Sequence, residues 1–156
     1  MMIVEVPKNM MNNYISWHSK RPEEGGRVIP HGHLGSGEEF LNWNRQFIAK
    51  YKRWCKQRDK PFVSPWYKIP PELLQGTDVI NIIKPKSFGT LDDLGIFLEK
   101  WSHILHERAA KIYNEPILKT LESPGSSYFW QTYGMINNWR KRWLKNRDSA
   151  GNLVMS

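Results

Sequence analysis

The chain has a single cysteine, Cys55, in 156 residues. An internal disulfide is therefore excluded, and so is a zinc site built on paired thiolates. No apolar run comes near the ~20 residues that a helix needs to cross a bilayer. The N-terminal stretch, Met1 to Pro7, lacks the basic flank and apolar run of a secretory leader. Nothing marks an oxidising compartment, so a cytoplasmic location is expected and no membrane partner is. No internal repeat or low-complexity tract divides the chain, and its length fits one domain, residues 1–156. Acidic residues are in short supply as well: 15 Asp and Glu stand against 23 Lys and Arg, a formal net charge of +8.

What the chain does have is aromatic mass. It contains eight Trp, six Tyr and six Phe. Such side chains need large buried pockets, which predicts a core of aromatic plates and not of leucine alone. Apolar residues recur at three- and four-residue steps in four stretches, the signature of amphipathic helices. The first runs from about Lys8 to His18. The second carries Phe40, Leu41, Phe47, Ile48, Tyr51, Trp54 and Cys55 on one stripe, and Asn44 falls on that same stripe. The third starts at Thr90, with Asp93 three residues on as in a capping box. Its stripe is Leu94, Phe97, Leu98, Trp101, Leu105, Ala109 and Ile112, and Ser102 and His106 share a face one turn apart. The fourth begins after Ser123-Pro124 and runs to about Arg147, with Phe129, Tyr133, Ile136 and Trp143 inward. Gly134 within it marks a close approach of another element. Two Gly/Pro-rich stretches, Arg21 to Gly37 and Lys60 to Gly89, read as long loops packed on the helices. The second holds Phe62, Val63, Trp66, Tyr67 and Ile69, too apolar to hang in water.

Four segments then line up in order. They are His31-Gly32 followed by Phe40-Leu41-Asn42-Trp43-Asn44-Arg45; Phe62-Val63-Ser64-Pro65-Trp66 leading to Ile69-Pro70; Ser102-His103-Ile104-Leu105-His106; and Ser123-Pro124 followed by Tyr128-Phe129-Trp130-Gln131-Thr132-Tyr133-Gly134-Met135-Ile136-Asn137-Asn138-Trp139. Together they resemble the tyrosinase, or type-3 dicopper, family over roughly residues 14 to 143. The resemblance implies an all-α fold, a four-helix bundle core of tyrosinase type with long packed loops. It also implies two coppers, each held by three imidazoles, since such sites take nitrogen donors.

The ligand positions depart from that pattern. His18 and His31 match the first site, with His33 a competing assignment, but Asn44 stands where the family has its third histidine. At the second site Ser102 replaces one histidine, Tyr133 replaces the closing one and His106 alone matches. Asn137 stands in place of a neighbouring family Asp. Ser hydroxyl and Asn amide are poor copper ligands, and a Tyr phenolate must first lose a proton with a pKa near ~10. Ordinary dicopper phenol oxidation is therefore not expected.

The replacements are all polar. Asn44, Ser102, His106 and Tyr133 predict a polar central pocket that binds or modifies a phenolic or peptide-like ligand, with His106 and Tyr133 as an acid–base pair or as a structural hydrogen bond. No cofactor is expected; the alternative is a single Cu, Zn or Fe ion on His18, His31, His33 and His106. A second functional reading is a non-catalytic homologue that works by binding a partner. The basic runs, Lys50 to Lys60 and Arg140 to Arg147, admit an acidic protein partner. Nucleic acid is disfavoured, because the interleaved Tyr51, Trp54, Trp139 and Trp143 fall on or near the apolar stripes and leave the charges as solvated faces. His103 reads as a surface or helix-flank residue, and Cys55 as a small apolar core residue.

Overall fold

Four stretches of the chain coil where the periodicity predicts helices. The computed structural model describes residues 3–75 and 88–155. Among these, α1 is Lys8–Ser19, α2 Ser36–Gln57, α3 Leu91–Ile112 and α4 Ser127–Met155. Short 3-10 turns occur at Pro22–Glu24, Pro71–Leu73, Pro116–Lys119 and Ser123–Gly125. No strand occurs among the described residues; one antiparallel bridge pairs Ile3 with Ser126. The chain is thus an all-helical bundle, in which α2, α3 and α4 pack on one another. Among the described residues no helix is long and apolar enough to cross a membrane.

Helix starts follow local chemistry. The Thr90 hydroxyl accepts the Asp93 N–H at 3.0 Å and begins α3 as predicted. α2 has no side-chain cap of its own. Its free N–H groups are taken by a residue of α3: the Asp92 carboxylate accepts from Gly35 and Gly37 at 2.8 Å and from Glu38 at 3.1 Å. Burial alone would raise the pKa of Asp92, but these three backbone donors outweigh it and hold the carboxyl below its usual value. At the same place the two backbones touch. A Cβ on Gly95 would lie 2.1 Å from the Gly37 carbonyl oxygen, and one on Gly37 would lie 2.0 Å from that of Asp92.

The core is a column of near-parallel rings. Trp17 stacks on Trp43 (4.8 Å), Trp43 on Phe47 (4.5 Å), Phe47 on Trp130 (5.4 Å), Trp130 on Tyr51 (4.0 Å) and Tyr51 on Trp54 (5.8 Å). It draws on α1, α2 and α4, so it joins three helices. Arg27 sits over Trp17 at one end, and Arg58 and Lys60 over Trp54 at the other. Cys55 is buried, as its stripe position predicts.

Both Gly/Pro-rich stretches pack on the helices. In the first, the Glu39 carboxylate accepts from the Val28 and Ile29 N–H groups at 2.7 and 2.9 Å. In the second, the Trp66 N–H donates to the Gln131 carbonyl. Pro65 there lies against Gly134, where a Cβ would meet it at 2.8 Å. That is the close approach the helical glycine predicts. Three expectations need correction. Tyr67 is 86% exposed, in the bend at Tyr67-Lys68, and Ile112, at the last turn of α3, is 48% exposed. α4 runs past Arg147 to Met155. The part of the second stretch from 76 to 87 lies outside the described residues.

Gly95→Ala is a direct test of the crossing. In an open helix the change would stabilise by roughly 1 kcal/mol. Here the methyl has no room, and the expected result is a loss of about 2 kcal/mol or more. It should appear as a lower urea midpoint with an unchanged slope.

Candidate functional site

Asn44, Ser102, His106 and Tyr133 are all buried where α2, α3 and α4 face one another. They do not form one hydrogen-bonded cluster. The Asn44 Nδ2 donates to the Tyr133 backbone carbonyl at 3.1 Å, while its Oδ1 is buried without a partner. The Ser102 hydroxyl donates to the Glu99 carbonyl one turn back in its own helix, at 2.7 Å. The Tyr133 hydroxyl pairs with that of Tyr14, which in turn accepts from the Ser123 hydroxyl at 3.2 Å. The hydrogen bond considered between His106 and Tyr133 is replaced by stacking: the rings lie 5.8 Å apart at 11°.

One of the four reaches a cleft. His106 lines a hollow of about 440 Å³ together with Tyr14, His18, His103, Glu107 and the segment 118–121. His18 leaves α1 one turn after Tyr14 and packs on that ring at 4.4 Å. The Nε2 atoms of His18 and His106 are both buried and have no hydrogen-bond partner. Burial, more than any neighbouring charge, lowers the pKa of His18 to about 4 and of His106 to about 3, and the two rings with His103 disfavour one another's protonation. Both are neutral at pH 7. Burial pushes the Tyr133 phenol well above its ordinary value.

The first Gly/Pro-rich stretch is clamped beside this cleft by a buried carboxylate. Glu99, 1% exposed, accepts from Arg27 Nη1 and Nη2 at 2.6 and 3.0 Å, and His31 Nδ1 lies 2.8 Å from its Oε1. His31 is thus tied to Glu99 at the surface, 6.2 Å from the His103 ring, and His33 is exposed. Among the described residues no three His, Cys, Asp or Glu side chains form a group that could hold a metal ion. A copper pair does not fit this donor set. Asn44 and Ser102 turn to backbone carbonyls and Tyr133 to another hydroxyl, where a dicopper site needs imidazoles.

Sequence reasoning did not assign four residues to the site. His103 is exposed, as a surface position predicts, and it also lines the cleft. Its three-residue spacing from His106 was the available signal. Tyr14 has the same signal, four residues before His18. The Arg27–Glu99 pair, 72 residues apart, had none. The basic runs are placed mostly as expected: Lys50, Lys52, Arg53, Lys56, Lys141, Arg142 and Lys145 are all exposed and Tyr51 and Trp143 are buried, but Arg140 is half-buried. Comparison with protein-family models, with curated proteins and with solved structures gives no match in any of the three.

Two outcomes follow from this geometry. Arg27→Met strands the Glu99 carboxylate in the interior and should cost about 3–5 kcal/mol in chemical denaturation. The second concerns acid. The unfolded chain takes up protons at His18 and His106 near pH 6.5, but the folded chain takes them only near pH 4 and pH 3. In that window the unfolded state binds more protons. Stability present above pH 6.5 is therefore lost as the pH falls, by up to about 1.4 kcal/mol per pH unit for each ring. Denaturation midpoints between pH 7 and 4 should follow this slope, and His18→Phe should remove its share.

Proposed function

We propose that this protein is a tyrosinase-like helical bundle without dicopper chemistry, and that it binds a phenol or a phenol-bearing peptide in the cleft beside His18 and His106. One observation carries the reading: two neutral imidazoles line one hollow, and each has a buried Nε2 without a hydrogen-bond partner. Each unmade bond costs about 1–3 kcal/mol. A phenolic hydroxyl both donates and accepts, so it satisfies either tautomer of either ring. Its ring finds aromatic company in Tyr14 and, behind His106, in Phe129 and Tyr133.

Binding is favoured over proton-transfer catalysis by magnitude. A base with a pKa of about 3 taking a proton from a phenol near ~10 works against roughly 9 kcal/mol. Tyr133, shifted the other way, is no better as an acid. The two groups serve as a hydrogen-bond acceptor and a stacking wall. An acidic protein partner is a second binding reading, supported by the exposed lysines and arginines of α2 and α4; its association would weaken steeply with salt.

Thermal-shift titration with N-acetyl-tyrosinamide against N-acetyl-phenylalaninamide tests the cleft. The tyrosine compound should raise Tm and the phenylalanine compound should not. His106→Phe, which keeps the ring volume but removes the acceptor, should abolish the shift. A Tm unmoved by any phenol ends this reading. A shift with Cu, Zn or Fe that His18→Phe removes would replace it with a single-metal site.

A further inference from the structure

Arg45 on α2 and Arg140 on α4 line a second cleft, of about 650 Å³, which shares no lining residue with the histidine cleft. Each guanidinium is held by an asparagine one turn earlier in its own helix. Arg45 Nη2 donates to Asn42 Oδ1 at 2.8 Å, and Arg140 Nε donates to Asn137 Oδ1 at 3.1 Å. An amide orients a guanidinium without neutralising it. Neither arginine is in an ion pair with a described carboxylate, although Arg21, Arg27 and Lys60 all are. Arg140 is half-buried, and burial first, then the charge of Arg45, lowers its pKa, so the two cations stand close enough to oppose each other.

We infer that this cleft binds a doubly charged oxyanion of the phosphomonoester class, gripped between Arg45 and Arg140. Arginine forks match the oxygen edges of phosphate and carboxylate alike, and two of them balance a dianion. Ile29, Leu41 and Leu91 supply an apolar wall for the organic part of the ester. Two carboxylates share the lining. Glu39 is engaged by the Val28 and Ile29 N–H groups. Glu38 lies seven residues before Arg45, about 10 Å along the helix, too far to pair with it but near enough to oppose an anion.

Calorimetric titration at fixed ionic strength, with inorganic phosphate, n-butyl phosphate and valerate as probes, decides the matter. Both phosphates should bind, butyl phosphate more tightly, and valerate more weakly than either. Arg45→Gln and Arg140→Gln should each weaken butyl phosphate binding tenfold or more, with unchanged helical circular dichroism. Glu38→Gln should tighten it several-fold. Arg53→Gln, an exposed arginine outside the cleft, and His106→Phe should leave it alone. Absence of phosphate binding overturns the proposal. So does equal loss with Arg53→Gln, or an affinity indifferent to Arg45 and Arg140. Valerate binding as tightly as butyl phosphate overturns the dianion class.

Discussion

The Asp92 carboxylate, buried at the crossing of Gly37 and Gly95, fixes the register on which both clefts depend. It gives α2 the N-terminal cap that α2 does not supply for itself, and it does so where two glycines let the backbones meet. From that point α3 presents a polar residue every seven positions, two turns apart and so on one face. Asp92 holds the start of α2, Glu99 clamps Arg27 and His31, and His106 faces the histidine cleft. Each of these three groups is buried, and each serves a different neighbour. A slip of one turn in α3 would misplace all of them together.

The aromatic column does for α1 and α4 what Asp92 does for α2 and α3. Trp17 carries α1 onto Trp43 of α2, and Trp130 brings α4 between Phe47 and Tyr51. Offset ring contacts are worth about 0.5–1.5 kcal/mol each beyond the area they bury. The guanidinium of Arg27 closes one end of the column over Trp17 while the same group binds Glu99. One side chain thus couples the ring stack to the polar face of α3. That coupling places His18, the neighbour of Trp17, against the cleft that His106 lines.

The helices were legible because burial leaves a period in the sequence. Thr90 announced its helix, Gly134 announced Pro65, and the eight tryptophans announced the plates. Single residues at the margins were not legible: Tyr67 and Ile112 are apolar enough to look buried but sit where the chain bends or a helix ends. The candidate site was legible only in part. Ser102 and His106 were correctly set on one inner face, yet one of them bonds its own backbone and the other opens on the cleft. Nothing in a spacing rule distinguishes the two outcomes, because the difference lies in what stands opposite. Asp92 illustrates the same limit. An acidic residue in a first turn reads as a partner for its own helix dipole, and only the crossing reveals that it caps another helix.

Buried polar atoms without partners rank the candidate groups by cost. Asn44 Oδ1 is fully enclosed, but its amide recovers one bond at Tyr133, and Asn44 lines neither the histidine cleft nor the arginine cleft. Its penalty is internal to the fold. The Nε2 atoms of His18 and His106 are different, since their rings line a hollow that a small molecule can enter. An apolar ring at either position would fill the same volume at no such cost and would remove the acid sensitivity as well. The imidazoles therefore hold a debt of about 1–3 kcal/mol apiece that packing does not settle. A hydrogen-bond donor or hydroxyl reaching these atoms would offset it. By that measure His18 and His106, and not the more deeply buried Asn44, Ser102 and Tyr133, are the groups with the most to gain from a hydrogen-bonding ligand.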